Sequence, residues 1–313
     1  MKDQYIQILN TFTLESLPDL DVGVLGALEL LEKTVVPRMD MSNFKRPLVV
    51  GSGNAEATGR IVFRNSDAVF ASESDYQERL ATIPLIDSVV VLSASGGKHA
   101  PGIVRSARAA GKRVMLITNT PDSLASHELA DTNDALVFPK NREPYTYNTS
   151  TYMGMILGST DENAGDIQRY IHESIETIHF PDFSSYDKFF VVVPPRLGSI
   201  KRMLQVKFIE LFGRIVARDV ETSEYMSHAV TVVPSRELFI NIGVEGGTWG
   251  TPENNLYIPL PPDADYVAIM AIGYYIIGQI QKSHPPYFKN NIAFYCENAG
   301  KAFGTTIPPI VEK

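Results

Sequence analysis

Residues 88–104 read SVVVLSASGGKHAPGIV, and this stretch decides the fold. The run Ser88–Leu92 is short, β-branched and almost wholly apolar, which is typical of a strand buried on both faces of a parallel sheet. Two adjacent glycines follow within Ser93–Lys98, and Pro101 suits the first turn of a helix. The stretch therefore predicts a strand, a glycine-rich loop and a helix, the repeating unit of α/β folds.

The same rhythm extends through the rest of the chain. In the first half, the predicted strands are Pro47–Val50, Ser88–Leu92, Val114–Thr118 and Leu136–Phe138, with a helix at Ile103–Ala110. In the second half, the predicted strands are Phe189–Val193, Val230–Val233 and Leu238–Val244, and the predicted helices are Ile200–Ala217 and Tyr266–Ile280. Strands that alternate with helices are joined by right-handed crossovers and lie parallel. We therefore expect an α/β protein with two parallel-sheet sandwiches in tandem.

Further segments flank the two sandwiches. Residues 1–40 are expected to be helical, because apolar residues recur at helical spacing from Val22 to Val35 and Pro37 ends the pattern. The remaining expected divisions are a first domain over 41–160, a linking helix over 161–180, a second domain over 181–283 and a C-terminal arm over 284–313.

Composition excludes several classes of protein. The 313 residues include 28 Lys and Arg against 36 Asp and Glu, a net charge of −8 without a basic cluster, which disfavours a nucleic-acid partner. Cys296 is the only cysteine, and no Cys/His spacing indicates a metal site. The start MKDQYIQILN does not read as a secretory leader, and the apolar stretch Tyr266–Ile280 is shorter than the ~20 residues of a membrane helix. A cytoplasmic protein without a membrane partner is expected.

Two loops are candidates for holding an anion. Gly51-Ser52-Gly53-Asn54 follows one predicted strand, and Ser93–Lys98, with the hydroxyls of Ser93 and Ser95 and the ammonium of Lys98, follows another. Such loops lie at the carboxyl edge of a parallel sheet, where helix N-termini offer free N–H groups. Neither loop matches the Rossmann or P-loop pattern. The alternative is that both are ordinary turns between strand and helix.

The predicted helix Ile200–Ala217 carries a charged row. Lys207, Glu210 and Arg214 lie on one face at i, i+3 and i+4 spacing. The row is either a solvated ladder of ion pairs or a carboxylate held beside a cation for proton transfer. His228 follows before the next predicted strand and is either structural or an acid/base.

These motifs together resemble the sugar isomerase (SIS) domain family. In the first half the resemblance rests on Gly51–Asn54, Ser93–Gly96, Ile117–Asn119, Ser123–Ala125 and Ala130-Asp131. In the second half it rests on Lys207-x-x-Glu210, Glu224, His228 and Asn298–Lys301. The order is collinear over residues 40–310. The resemblance implies two tandem SIS-type three-layer α/β/α sandwiches with parallel sheets.

The resemblance also implies an activity, a cofactor-independent aldose–ketose isomerase acting through an enediolate on a six-carbon sugar with an anion at C6. Glu210 would be the base, His228 the acid/base that opens the ring, and Lys301 a cation beside the sugar oxygens. The implied substrate-binding residues are Gly51, Ser52, Gly53, Asn54, Ser93, Ser95, Lys98, Thr146, Thr149 and Lys207. In relatives the partner subunit supplies the histidine, so a homodimer with a shared active site is expected.

One departure from the family leaves the substrate open. Lys98 stands where phosphate-binding relatives have a threonine, and a lysine is a mobile point charge rather than a fixed hydroxyl. The C6 anion is therefore either the phosphate of glucose or mannose 6-phosphate, isomerised to fructose 6-phosphate, or the sulfonate of sulfoquinovose, isomerised to sulfofructose. The alternatives to an isomerase are a non-catalytic sugar-phosphate sensor and an amino-sugar deglycase of the same fold.

Overall fold

A computed structural model describes residues 3–40, 44–228, 235–246 and 249–313. Its helices are α1 (Gln4–Thr11), α2 (Leu20–Lys33), α3 (Asn54–Val62), α4 (Tyr76–Thr82), α5 (Ala100–Ala109), α6 (Thr149–Leu157), α7 (Ala164–Tyr170), α8 (Lys201–Phe212), α9 (Ser223–Met226), α10 (Tyr266–Ser283) and α11 (Tyr287–Phe303). Its strands are β1 (Pro47–Val50), β2 (Val69–Ala71), β3 (Ser88–Leu92), β4 (Arg113–Thr118), β5 (Ala135–Val137), β6 (Glu143–Pro144), β7 (Lys188–Val193), β8 (Ala217–Thr222), β9 (Leu238–Ile242), β10 (Asn255–Ile258) and β11 (Ile310–Val311).

The chain divides into two compact units. The first-sheet unit comprises residues 34–140 and 151–161, and the second-sheet unit comprises residues 1–33, 141–150 and 162–313. This division differs from the expected domain boundaries. The N-terminal helices and the segment Asn141–Ser150 both belong with the second sheet, although the sequence pattern grouped the latter with the first domain.

The first-sheet unit is built on a parallel sheet of order β2-β1-β3-β4-β5. The central strands consist of valine, leucine and isoleucine because both faces are covered, and all five residues of β3 are buried. Val104 and Ala107 of α5 pack into the same apolar core as Val89 and Val91 of β3. The sheet thereby fixes where the loops at its carboxyl edge begin.

The second-sheet unit is built on a second parallel sheet, of order β10-β9-β7-β8. The helix α10 is buried along most of its length and packs against α2 and α8. A short antiparallel pair, β6 with β11, joins the segment before α6 to the C-terminus. The expected α/β class with two parallel-sheet sandwiches in tandem is confirmed.

Several predicted elements differ in detail. The predicted helix Ile200–Ala217 is too long, because α8 ends at Phe212 and Gly213 caps it with a φ of 59°. Ala217 instead begins β8, a strand that the sequence pattern did not predict. The C-terminal arm contains the helix α11, which the sequence pattern did not predict. The predicted strand Val230–Val233 lies wholly within residues 229–234, outside the described residues.

The apolar stretch in α10 is the natural candidate for a membrane span. Among the described residues, no helix combines the length and apolar character that crossing a bilayer requires.

Candidate active site

The two predicted anion loops lie side by side at the carboxyl edge of the first sheet. β1 and β3 are parallel neighbours, with Val50 opposite Val91. The loops that follow them therefore leave the sheet at the same edge, where open parallel sheets bind their ligands.

The first loop, Gly51–Asn54, turns tightly into α3. A Cβ at Gly51 would lie 2.7 Å from the backbone nitrogen of Glu56, so this close approach requires glycine. The hydroxyl of Ser52 donates a hydrogen bond to the carboxylate of Glu73, which follows β2. The buried Oδ1 of Asn54 accepts no hydrogen bond from the described residues. The loop thus offers an unused amide oxygen and a hydroxyl already engaged by a carboxylate.

The second loop, Ser93–Lys98, is held by its own backbone. The N–H of Ser93 donates to the carbonyl of Ile117 at 3.0 Å, and the Oγ of Ser95 accepts from the N–H of Gly97 at 3.3 Å. Lys98 has a left-handed backbone, with a φ of 50°, and its side-chain burial lowers the pKa of its ammonium. Gly53, in the neighbouring loop, is exposed with a φ of 57°.

In the second-sheet unit, the charged row on α8 forms a buried ion pair. The side chain of Lys207 is completely buried, and its Nζ lies 2.8 Å from Oε2 of Glu210, which retains 19% exposure. The ring centroid of Tyr274 lies 5.1 Å from the same ammonium. Arg214 lies beyond the end of α8 and is exposed. The interpretation of the row as a solvated ladder is therefore wrong.

A strained segment supplies the remaining partners of Lys207. Its Nζ donates to the carbonyls of Thr146 at 2.5 Å and Tyr147 at 2.7 Å. Thr146 and Asn148 have φ values of 79° and 46°, a region that β-branched residues such as threonine rarely adopt. The buried Oγ1 atoms of Thr146 and Thr149 have no hydrogen-bond partner among the described residues. The segment therefore carries two buried hydroxyls whose hydrogen bonds the described residues do not satisfy.

A second glutamate, Glu143, secures this segment. Its carboxylate accepts the N–H groups of Thr149 at 2.7 Å and Ser150 at 2.8 Å, the first residues of α6. Burial raises the pKa of Glu143, while these hydrogen bonds and the charge of Lys207 oppose the shift. Neither Glu143 nor Glu73 is predicted from the sequence, because a lone glutamate beside a turn carries no spacing signal.

The electrostatics of Glu210 suit a group that exchanges protons. Burial raises the pKa of Glu210 above its ordinary value, and the ammonium of Lys207 opposes the shift. A carboxyl group tuned in this way releases and recovers a proton nearer to neutral pH than an exposed one.

The structure places the two other predicted catalytic residues on the surface. His228 is exposed in the turn after α9, where its backbone N–H donates to the carbonyl of Tyr225 at 3.0 Å. Lys301 is exposed on α11 and forms a 2.6 Å pair with Glu297, one turn earlier. Within the second-sheet unit, the residues gathered around one centre are thus Thr146, Lys207 and Glu210.

The second-sheet unit also contains a surface cavity. A cavity of about 630 Å³ is lined by residues that include Lys188, Arg236 and His284. Lys188 begins β7, so this cavity lies at the amino edge of the second sheet, opposite to the edge where parallel sheets bind ligands. No cluster of three His, Cys, Asp or Glu residues suited to a metal ion occurs among the described residues.

Comparison with known proteins gives a clear result in structure but not in sequence. No protein-family model and no curated protein matches the sequence. The solved structure of glucosamine-6-phosphate deaminase from Thermotoga maritima matches with a TM-score of 0.60 at 15% identity, over 87% of this chain and 95% of the other. The chain has the fold of that protein.

Two further solved structures support the same conclusion. The C-terminal domain of glucosamine-fructose-6-phosphate aminotransferase from Francisella tularensis matches with a TM-score of 0.55 at 12% identity, over 90% of this chain and 96% of the other. Tagatose-6-phosphate ketose/aldose isomerase from Escherichia coli matches with a TM-score of 0.53 at 13% identity, over 92% of each chain. At such identities the likeness establishes the fold, which agrees with the resemblance to sugar isomerase domains.

Proposed function

We propose that this chain is an aldose–ketose isomerase acting through an enediolate on a six-carbon sugar with an anionic group at C6. The observation that carries the proposal is the buried pair of Lys207 and Glu210, whose Nζ and Oε2 atoms lie 2.8 Å apart. A buried ion pair is by itself weak evidence for a role in stability, because desolvating the two charges costs several kcal/mol.

The proposed chemistry uses one carboxylate twice. In the open-chain aldose, Glu210 takes the proton from C2, and the electron pair shifts to form an enediolate across C1 and C2. The O2 hydroxyl proton passes to O1 of the enediolate, and the protonated Glu210 returns its proton to C1, which yields the ketose with C2 as its carbonyl and a hydroxyl at C1. Lys207 keeps the carboxylate oriented, and the Thr146 and Thr149 hydroxyls are donors for the sugar oxygens.

The other roles are assigned on the same basis. We assign the C6 anion to the loops Gly51–Asn54 and Ser93–Lys98, with Lys98 as the cation. His228 opens the ring and Lys301 neutralises charge on the sugar oxygens. Because His228 is exposed, it is available to the site of a partner subunit in a homodimer.

Hydrogen exchange at C2 tests the proposal. The protein is incubated in D₂O with glucose 6-phosphate and, separately, with sulfoquinovose, and the C2–H signal is followed by NMR. We expect loss of that signal with ketose formation for one substrate, which also identifies the C6 anion as phosphate or sulfonate. Glu210→Gln should abolish exchange while leaving binding nearly intact, because an amide of similar size cannot accept the proton. Full exchange in this variant would place the base elsewhere.

Deamination of an amino sugar is a second candidate reaction, because one of the matched structures is a glucosamine-6-phosphate deaminase. Incubation with glucosamine 6-phosphate and an assay for released ammonia distinguishes this second candidate. Ammonia release without C2 exchange of glucose 6-phosphate or sulfoquinovose would favour the deaminase or deglycase class over the isomerase.

A further inference from the structure

Two tyrosines from distant parts of the chain meet in the second-sheet unit. Tyr145 follows β6, and Tyr295 lies on α11. Their ring centroids are 6.0 Å apart and their planes are tilted by 36°. This separation lies within the range of about 4.5–7 Å over which aromatic side chains interact.

Short contacts connect these two tyrosines to Glu210. The N–H of Tyr145 donates to the carbonyl of Pro309 at 2.8 Å, which fixes the backbone before Thr146. The carbonyl of Thr146 binds Lys207, which in turn binds Glu210. On the other side, α11 packs directly against α8, the helix that carries Glu210.

The negative charge of Glu210 affects the pKa values of both tyrosines. The charge of Glu210 contributes to raising the pKa of Tyr145, to about 12, and to raising that of Tyr295. Both phenols are therefore neutral at neutral pH. The hydrogen bond from Lys207 uses Oε2 of Glu210, and Oε1 accepts no hydrogen bond from the other described residues.

Both rings of the pair remain accessible from solvent. Tyr295 is 49% exposed, and Tyr145 is only partly buried. A fully buried ring beside Glu210 would be core packing, whereas these rings remain open to a ligand. A closed pyranose ring presents a face of C–H groups that suits an aromatic surface, while its hydroxyl groups point outward from the rim.

We propose that Tyr145 and Tyr295 form an aromatic wall against which the closed sugar ring stacks before it is opened beside Glu210. The inference rests on the proposed function and deepens it, because it makes the pyranose form the species that the protein binds first. It predicts that affinity for a closed ring depends on the wall, whereas affinity for an open-chain sugar of the same charge does not.

Two ligands that cannot react distinguish affinity for a closed sugar ring from affinity for an open-chain sugar. In 1,5-anhydroglucitol 6-phosphate the ring is closed and cannot open, and sorbitol 6-phosphate is an open chain with the same anionic group. Their Kd values are measured by isothermal titration calorimetry on the full chain. The variants are Tyr295→Leu, Tyr145→Leu and the ring-preserving Tyr295→Phe and Tyr145→Phe. Phe294→Leu is the matched control, because Phe294 is adjacent on α11 and 66% exposed.

We expect each leucine variant to bind the closed-ring ligand about five- to tenfold more weakly, the scale of one aromatic contact. Binding of the open-chain ligand should change by less than about twofold. The phenylalanine variants and Phe294→Leu should bind both ligands like the wild-type protein. Tyr295→Leu keeps the test decisive if Tyr145→Leu does not fold, because the half-exposed Tyr295 contributes little to the core.

Failure of the wall and failure of the proposed function give different results. If the wild-type protein binds both ligands and the leucine variants lose equal affinity for each, or none, the proposed aromatic wall is contradicted. The proposed isomerase function is not contradicted by that result. If the wild-type protein binds neither ligand, both the wall and the phosphate form of the proposed function are overturned.

Discussion

Replacing Lys207 with methionine tests whether the buried pair holds the second-sheet unit together. Methionine keeps most of the apolar stem but leaves the carbonyls of Thr146 and Tyr147 and the carboxylate of Glu210 without their donor. An unsatisfied buried carbonyl costs about 1–3 kcal/mol, and an uncompensated buried charge costs about 3–5 kcal/mol. All three groups lose the same donor, so their individual costs do not add. We therefore expect a loss of about 3–5 kcal/mol in unfolding free energy.

The chain contains its own reporter for this measurement. Trp249 is the only tryptophan, lies in the same unit as Lys207 and is buried, with its indole N–H 2.8 Å from Oδ1 of Asn241. Urea titration followed by Trp249 fluorescence therefore reports unfolding of this unit. The matched control is Lys301→Met, which removes an exposed lysine from an exposed pair and should leave the midpoint unchanged. An equal, small effect of both substitutions would refute the argument from burial.

The pH dependence gives a second, independent check on the same variant. Burial raises the pKa of Glu210 and Lys207 lowers it, so removing Lys207 moves the folded-state pKa further above the unfolded value. When the pKa of a carboxyl group is higher in the folded than in the unfolded state, the unfolding free energy falls as the pH rises from the unfolded-state pKa to the folded-state pKa. The loss caused by Lys207→Met should therefore be smaller at about pH 5 than at about pH 8. A loss independent of pH would mean that Glu210 is not the group left uncompensated.

Four further outcomes follow from the loop Ser93–Lys98 and from Glu210. Gly96→Ala should destabilise the first-sheet unit by about 2 kcal/mol or more in calorimetry, because Gly96 has a φ of 58° and a Cβ there would lie 2.2 Å from Oγ of Ser123. Gly97→Ala should be tolerated, since its Cβ would meet the described structure no closer than 3.5 Å. Lys98→Ala should mainly raise KM for the anionic sugar, and an unchanged KM would place the anion elsewhere. The acid limb of kcat/KM should report a pKa above that of an ordinary glutamate, because burial raises the pKa of Glu210; a limb at the ordinary value would contradict its role as base.

The sequence predicts those parts of the fold that are buried on both faces. β1 and β3 begin and end where the apolar runs predict, because central parallel strands show no alternation and stand out as continuous valine-rich segments. β8 was missed because its sequence, ARDVET, is half charged. The order β10-β9-β7-β8 puts this strand at the edge of its sheet, where one side needs no apolar partner.

The candidate site was predictable in its spacing but not in its surroundings. Helical geometry alone places Lys207 and Glu210 on one face, and the structure confirms that they are paired. Spacing does not say whether that face meets solvent, because burial depends on what packs against the helix. In this chain the covering segment is Asn141–Ser150, some 60 residues earlier in the sequence, as the separation of Lys207 from Tyr147 gives.

The covering segment Asn141–Ser150 also explains why Lys207 and Glu210 are buried as a pair despite the desolvation penalty. Thr146 and Asn148 hold left-handed conformations, and each such residue costs of order 1–3 kcal/mol. The surrounding structure must therefore over-determine this geometry, and two anchors do so: Lys207 binds the carbonyls of Thr146 and Tyr147, while Glu143 binds the N–H groups of Thr149 and Ser150. The result is a turn whose two threonine hydroxyls stay buried and unpartnered among the described residues. Under the proposed function, these two hydroxyls are donors to a sugar bound at Glu210, and the two anchors hold the turn that carries them.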